Sequence, residues 1–466
     1  MRFRFFGQYL HLSIGLLAAV DCVLFAAAFL FAAGIRFSGG LPSIEASAGP
    51  IWHRLVIFIP VMILCLLAFG LYSARQRART FGIFLRVVSA IAIGSAAVAV
   101  LFYLIPDVAV GRGILASAAI LSVALISLSR AVFARYADEE LFKRRILVYG
   151  CGQRASAVAQ LRRRADRRGF VLIGFVKPHG EGCTVPPERT LDAANGLLPL
   201  VEQHDIDEVI VAMDDRRRAF PIRDLLECRL AGVEVTELLT FLERETGRVR
   251  IDALNPSWMI FGNGFRRDPV RLFSSRALDI IASSLILAMT WPFMLVTTLA
   301  IKVEDGWDAP VLYGQERVGL GGATFRLLKF RSMRTDAEGD GQARWAERND
   351  PRITCVGRVI RKLRIDELPQ ILNVLRGHMS FVGPRPERPE FVRELAEKVP
   401  YYVQRHCVRP GITGWAQLCY QYGSSAQDAL EKLQYDLYYI KNNSLFFDLA
   451  ILVQTAEVVF MGKGAR

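Results

Sequence analysis

Long apolar runs near the start of the chain, at about 12–35, 55–72, 87–105 and 114–134, restrict what it can fold into more than any other feature. Each is about long enough to cross the roughly 30 Å hydrocarbon core of a bilayer as a helix. No water reaches that core, so a single segment must satisfy its own backbone polar groups, and a helix does so. The first run is too long for a signal-peptide core, shows no evident cleavage site and is followed by further runs, so it is read as retained. Basic residues set the orientation. Arg2 and Arg4 precede the first run, Arg75, Arg77 and Arg79 separate the second from the third, and residues 143–145 follow the fourth. With four spans and the N-terminus inside, all three clusters lie on one side, and everything after about residue 140 begins in the cytoplasm. Asp21 and Arg130 fall inside apolar runs, where packing or snorkelling near a helix end is the favoured reading over a chemical role.

With 466 residues and 52% hydrophobic content, the chain has room for two or three domains, one of them in the membrane. Its formal net charge of +13 suits an anionic partner, either phospholipid headgroups or a phosphorylated substrate. A nucleic-acid partner is disfavoured, because there is no zinc-finger spacing, RNP-like run or basic zipper. The eight cysteines are scattered without a C-x-x-C, so neither a disulfide framework nor a zinc site is expected.

From residue 146 to about 250 the pattern changes. "ILVYG" reads as a buried strand, followed by Gly150-Cys-Gly152-Gln-Arg-Ala155 and a helical "AVAQLRRR". "FVLIGFV", "EVIVAM" and "VEVTEL" read as further strands and "IRDLLECRLAG" as a helix, an alternation that predicts a parallel α/β sheet of Rossmann type. The G-x-G-x-x-A turn suits a phosphate at a helix N-terminus, but Lys177 and Pro178 stand where a ribose-binding acid is expected. A structural or regulatory domain is therefore favoured over a dinucleotide-binding one.

A fifth apolar run, 277–301, has strong positive charge on both flanks: Arg266, Arg267, Arg271 and Arg276 before it, Lys302, Arg317, Arg326, Lys329 and Arg331 after it. Both ends then favour the cytoplasm. Pro292 removes a backbone donor and can kink the helix, so the run is expected to enter the bilayer, bend and return to the same face.

Possible phosphate chemistry follows this run. "GQERVG" and "FRLLKFRSM" contribute Arg317, Lys329 and Arg331, and the amphipathic "VGRVIRKLRIDELPQ" carries Arg358, Arg361, Lys362 and Arg364 beside an adjacent Asp366–Glu367 pair. "FVGPRPE" and "RPGITGWAQ" supply Arg385 and Arg409 in Gly/Pro turns, suited to offering backbone N–H groups and a guanidinium fork to a phosphate. Neighbouring carboxylates can divide labour, one facing substrate while the other holds a metal or a proton. Together they favour a hard cation such as Mg²⁺, and an Asp is a competent covalent nucleophile toward phosphorus. The plain alternative is that Asp366 and Glu367 are helix-terminal acids or ion-pair partners of Arg361 and Arg364.

"KFRSM", "IDELPQILNVLRGHMSFVGPRP", "RPGITGWAQ" and "YDLYYIKN" resemble, in this order, the bacterial sugar transferases of the polyprenyl-phosphate phosphoglycosyl transferase superfamily. The resemblance covers about residues 270–466, and the front of the chain resembles that of the large, exopolysaccharide-initiating members. It implies three parts: a four-span region (1–140), a Rossmann-like cytoplasmic domain (141–265) and an α-rich monotopic catalytic domain on a re-entrant helix (266–466). It also implies a multi-pass protein of the bacterial inner membrane, with catalysis on the cytoplasmic face. The implied reaction moves a hexose-1-phosphate from a UDP-sugar to undecaprenyl phosphate and releases UMP. Asp366 would form a covalent phospho-sugar intermediate while Glu367 assists in Mg²⁺ or proton handling. Lys329, Arg361 and Arg385 match basic positions of the family, whereas Trp291-Pro292 replaces the common Ser-Pro at the helix break. A membrane-anchored nucleotide-sugar dehydratase would need a second Gly-rich fingerprint and a Tyr-x-x-x-Lys pair after residue 270, and neither occurs. A non-catalytic chain-length regulator would leave the Asp-Glu and Gly-Pro-Arg-Pro cluster unexplained. The transferred hexose, the ligand of the Rossmann-like domain and dimerisation stay open.

Overall fold

The computed structural model describes residues 2–5, 8–36, 51–72, 80–105, 111–136, 143–161, 169–178, 180–193, 196–215, 220–251, 269–334, 352–420 and 425–460. They form two compact units, Met1–Gly247 and Arg248–Arg466.

The first unit opens with a short antiparallel pair, β1 (Arg2–Phe5) and β2 (Gln8–His11), and four helices: α1 (Leu12–Arg36), α2 (Ile51–Ala68), α3 (Thr80–Leu104) and α4 (Arg112–Tyr136). α1 packs on α2 and α4, and α3 packs on α2 and α4. Phe58 of α2 meets the rings of Phe25 and Phe29, with Met62, Leu66, Val87 and Ile91 also buried. The outer faces are apolar too, with Leu16, Val23, Phe31, Leu64, Ile120 and Leu128 exposed. A bundle apolar inside and out is built for lipid rather than water. α1, α3 and α4 are long enough to cross a membrane, while the apolar part of α2, Trp52–Ala68, is shorter.

Asp21 and Arg130 do not snorkel. The Arg130 guanidinium donates to the Asp21 carboxylate at 2.6 Å, and the Tyr72 hydroxyl donates to the same oxygen at 2.6 Å. Both charged side chains are buried, so the pair ties α1 to α4 where an unpaired charge would be costly.

The α/β part has five parallel strands in the order β5-β4-β3-β6-β7: β3 (Arg144–Tyr149), β4 (Phe170–Val176), β5 (Thr190–Leu191), β6 (Glu208–Val211) and β7 (Glu234–Glu237). Helices α5 (Gln153–Ala159), α6 (Leu197–Gln203), α7 (Ile222–Leu230) and α8 (Leu238–Thr246) connect or follow them. Ile146, Val148 and Ile210 face one apolar layer, and Leu147, Val209 and Val211 face the other. A parallel sheet covered on both faces gives the continuous apolar runs read in the sequence.

The second unit begins before its membrane helix. The Val249 amide donates to the Gln434 carbonyl, Arg248 pairs with Glu431, and Val249 and Ile251 lie in the unit's main core. α9 (Pro269–Asp305) is one helix of 37 residues that runs through Pro292 without the break expected there. A hairpin follows, β8 (Leu312–Val318) with β9 (Thr324–Phe330), then α10 (Cys355–Lys362), a 3₁₀ turn at Ile365–Glu367 and α11 (Gln370–Leu375). β10 (Ser380–Val382) pairs in parallel with β11 (Gly411–Thr413), flanking α12 (Pro389–Lys398) in sequence. α13 (Trp415–Cys419), α14 (Ala426–Asn442) and α15 (Leu445–Phe460) complete the unit. Its core gathers Phe381, Val382, Trp415, Leu433, Leu437 and Ile451. The chain is therefore a mixed α and β protein with several apolar helices, and helices make up most of the regular structure of its last unit.

Candidate functional site

The Asp366–Glu367 pair sits on the 3₁₀ turn between α10 and α11, not inside a regular helix. Arg364 enters that turn in the left-handed region, at φ 58°, a costly conformation for a residue with a Cβ. The tight turn buries Asp366 and leaves Glu367 half-buried beside it. Glu367 Oε1 accepts from Lys329 Nζ at 3.3 Å, with Arg364 at 3.8 Å and Arg385 at 4.0 Å from the same oxygen. Asp366 Oδ1 is buried with no hydrogen-bond partner among the described residues.

These surroundings separate the two acids. Burial, reinforced by the adjacent Glu367 charge, pushes Asp366 above the ordinary carboxylate range against Lys329, Arg361 and Arg364. Burial also pushes Glu367 up, but Lys329, Arg385 and Arg364 outweigh it and hold that group below its ordinary value. One carboxylate is thus a tied anion and the other a raw, desolvated one.

Three supports fix the turn, and two of them were not singled out in the sequence. Asn373, buried on α11, accepts from the Leu328 amide at 2.9 Å and donates to the Arg326 carbonyl at 2.8 Å, locking α11 to the strand that carries Lys329. Asp279 of α9 accepts from the Ser380 hydroxyl at 2.8 Å and the Phe381 amide at 2.9 Å. Arg276, three positions before Asp279, donates to the Val374 and Leu375 carbonyls and caps the C-terminal end of α11. A lone buried acid or amide in an apolar stretch was the available signal for Asp279 and Asn373.

Lys329, Arg361, Arg364 and Arg385 gather around the pair. Arg331 is buried against Asp305 at 2.6 Å, where it ties β9's end to α9. Arg409 lies near enough to Asp279 for their charges to interact. The two Gly/Pro turns differ from expectation. The Gly383 amide donates to the Thr413 carbonyl and the Gly411 amide to the Pro384 carbonyl, so these N–H groups join two strands instead of facing a ligand. A Cβ on Gly411 would lie 2.1 Å from the Gly383 nitrogen, so glycine here permits backbone-to-backbone contact.

The glycine-rich turn of the first unit is filled by the protein's own acids. The amides of Gln153 and Arg154 both donate to the Asp214 carboxylate at 2.8 Å, and the Cys151 amide donates to Glu181 at 3.3 Å. Glu181 also accepts from the Asp214 amide at 2.7 Å. A Cβ on Gly152 would meet Asp214 at 2.0 Å. Contrary to the reading of the cysteine spacing, Cys151 and Cys183 form a disulfide, joining residues 32 apart that only the folded turn brings together.

A helix long and apolar enough to enter a membrane here packs on a domain whose carboxylate pair has basic side chains around it, a site suited to an anionic group. The chain belongs to the bacterial sugar transferase family, whose profile matches residues 270–462. It is 32% identical to a UDP-glucose:undecaprenyl-phosphate glucose-1-phosphate transferase of Klebsiella pneumoniae over 69% of each chain. It is 44% identical to a UDP-N-acetylgalactosamine-undecaprenyl-phosphate N-acetylgalactosaminephosphotransferase of Aeromonas hydrophila, over 52% of this chain and 56% of that one. An undecaprenyl-phosphate glucose phosphotransferase of Komagataeibacter xylinus is 33% identical over 69% of this chain and 60% of its own. The chain thus spans little more than half the length of the last two.

Residues 67–227 match a CoA-binding domain profile. The turn at 150–154 does not fit a CoA phosphate, since Asp214 and Glu181 already hold its amides and would repel an anion there.

Proposed function

We propose that this protein transfers a hexose-1-phosphate from a UDP-sugar to undecaprenyl phosphate, releasing UMP, as the first step in assembling an exopolysaccharide or related glycan. The observation that carries the reading is the contrast within the pair: a buried Asp366 whose Oδ1 has no hydrogen-bond partner among the described residues, beside a Glu367 held by Lys329. The names of the relatives supply the substrate class.

In the first step the Asp366 carboxylate attacks the β-phosphorus. A bond forms between its Oδ and phosphorus, the bond to the bridging oxygen breaks, and its electron pair leaves with UMP. In the second step a phosphate oxygen of the lipid attacks the same phosphorus and returns the carboxylate to Asp366. Lys329, Arg361, Arg364 and Arg385 lie where they can offset charge on a diphosphate, and their fixed placement avoids reorganisation during transfer. Mg²⁺ fits this reading: the free oxygen of Asp366 and the second oxygen of Glu367 would hold it with substrate oxygens, and it would neutralise diphosphate charge.

The placement of α9 supports re-entry. Near its start, Arg276 and Asp279 bind α11 and β10; near its end, Glu304 accepts from the Cys355 and Val356 amides and Asp305 pairs with Arg331. Both ends hold one domain, while Met289, Trp291 and Phe293 between them are exposed and apolar. A dip into the cytoplasmic leaflet accommodates both facts.

Mass spectrometry of the protein incubated with UDP-sugar and Mg²⁺ but no lipid acceptor tests the mechanism. The wild type is expected to carry a phospho-sugar on Asp366, and Asp366→Asn to carry none and release essentially no UMP. An adduct at another residue, or near-normal turnover by Asp366→Asn, overturns the assignment.

A further inference from the structure

The turn that carries Arg385 contains Pro384 and Pro386, which have no amide N–H, so donors from elsewhere must hold it. Its carbonyls each accept one. Pro384 accepts from the Gly411 amide at 2.9 Å and Glu387 from the Val318 amide at 3.0 Å. The two between them accept from guanidinium groups: Pro386 from Arg317 at 3.1 Å and Arg385 from Arg405 at 2.9 Å.

Arg405 is the more deeply set of the two. Its guanidinium is buried, pairs with buried Asp436 at 3.0 Å, donates to the Tyr402 hydroxyl at 2.7 Å and lies 5.1 Å from the Tyr402 ring centre. Burying an ion pair carries a desolvation cost, and apolar residues of the same volume often serve a core as well. A planar fork, unlike an apolar side chain, can hold Asp436, Tyr402 and the Arg385 carbonyl together. That carbonyl belongs to the residue whose own guanidinium reaches Glu367. The arrangement is a relay of two arginines, from a buried anchor to the carboxylate pair.

We propose that Arg405 is a positioning residue, which acts on catalysis by fixing the Arg385 backbone so that the Arg385 guanidinium stays at Glu367, with Asp436 and Tyr402 orienting it. The proposal rests on the transferase reading for its activity measurement, but its structural content does not.

A double-mutant cycle on UMP release separates this from general support of the fold. Arg405→Lys keeps the charge near Asp436 but loses the fork, and misplacement of this kind can cost on the order of 10–100-fold in rate. In an Arg385→Ala background the same substitution is expected to cost less than about 3-fold, because the group it positions is gone. Combined with Arg361→Ala, its cost is expected to multiply in full. Tyr402→Phe, which removes one acceptor and leaves the ion pair, is the second variant. It is expected to show the same coupling at smaller size, and it keeps the test open should Arg405→Lys not fold. Hydrogen exchange of the wild type and variants provides a readout that needs no turnover: peptides covering 383–388 should exchange faster in both variants, and those covering 208–211 should not change. Rate factors that multiply with Arg385→Ala, or unchanged exchange at 383–388, overturn the positioning role. If the wild type releases UMP from no UDP-sugar, the transferase reading fails and the exchange result still decides this one.

Discussion

Asp366 and Glu367 are neighbours in sequence and opposites in electrostatics. Asp366 is raised mainly by burial and by Glu367, so its ionised form burdens the folded state. The stability linked to a raised carboxylate is fully present below its unfolded value and is lost as pH rises through the folded one. Asp366→Asn is therefore expected to raise the melting temperature at neutral pH. Glu367 is held low by Lys329, Arg385 and Arg364 against burial, so its contribution is present above the unfolded value and lost as pH falls through the folded one. Glu367→Gln should lower the melting temperature at the same pH, as a thermal scan of both proteins would show. Melting shifts of the same sign would contradict the division of roles. Lys329→Ala, which removes the nearest cation, should cut UMP release by about 10²–10³-fold, a loss typical of a preorganised charge-stabilising group.

Elements owe their places to a few buried polar groups. Asn373 joins α11 to β9 through two hydrogen bonds, and Asn373→Ala would leave the Leu328 amide and Arg326 carbonyl unpaired, at about 1–3 kcal/mol each. Denaturant unfolding should show that loss together with reduced turnover, because Lys329 shifts with β9. In the membrane bundle, Asp21→Ala strands the buried Arg130 charge, and a cost of about 3–5 kcal/mol is expected in thermal unfolding in detergent. In the α/β sheet, the Asp214 and Glu181 carboxylates occupy the turn amides, so CoA should give no thermal stabilisation at millimolar concentration. A saturable stabilisation by CoA would show that the acids yield to it.

For the whole molecule, the boundary of the second unit matters. Arg248, Val249 and Ile251 belong to its fold through Glu431, Gln434 and the main core. A protein starting at residue 248 is expected to keep measurable transferase activity, and one starting at residue 266 to keep less and melt lower. Complete inactivity of the longer, folded form would show that the first unit contributes catalytic groups. Topology is tested by cysteine labelling near residues 270 and 310. Modification from the same side of the membrane is expected for a re-entrant α9, and modification from opposite sides would rule it out.

Periodicity and chemistry made much of this protein legible from its residues alone. The apolar runs, the βαβ alternation and the carboxylate pair among arginines depend on local spacing, which a sequence displays directly. "IRDLLECRL" became α7 and "FVLIGFV" became β4 for that reason. Pairings between distant residues are set by packing, and no spacing announces them. Only the tertiary structure turned Asp21 and Arg130 into a buried ion pair, joined Cys151 to Cys183 and paired Arg331 with Asp305. It also filled a phosphate-like turn with Asp214 and Glu181 and set Arg405 behind Arg385. A charged side chain's partner is whichever group the fold buries beside it, and that choice is made by the core rather than by the local sequence.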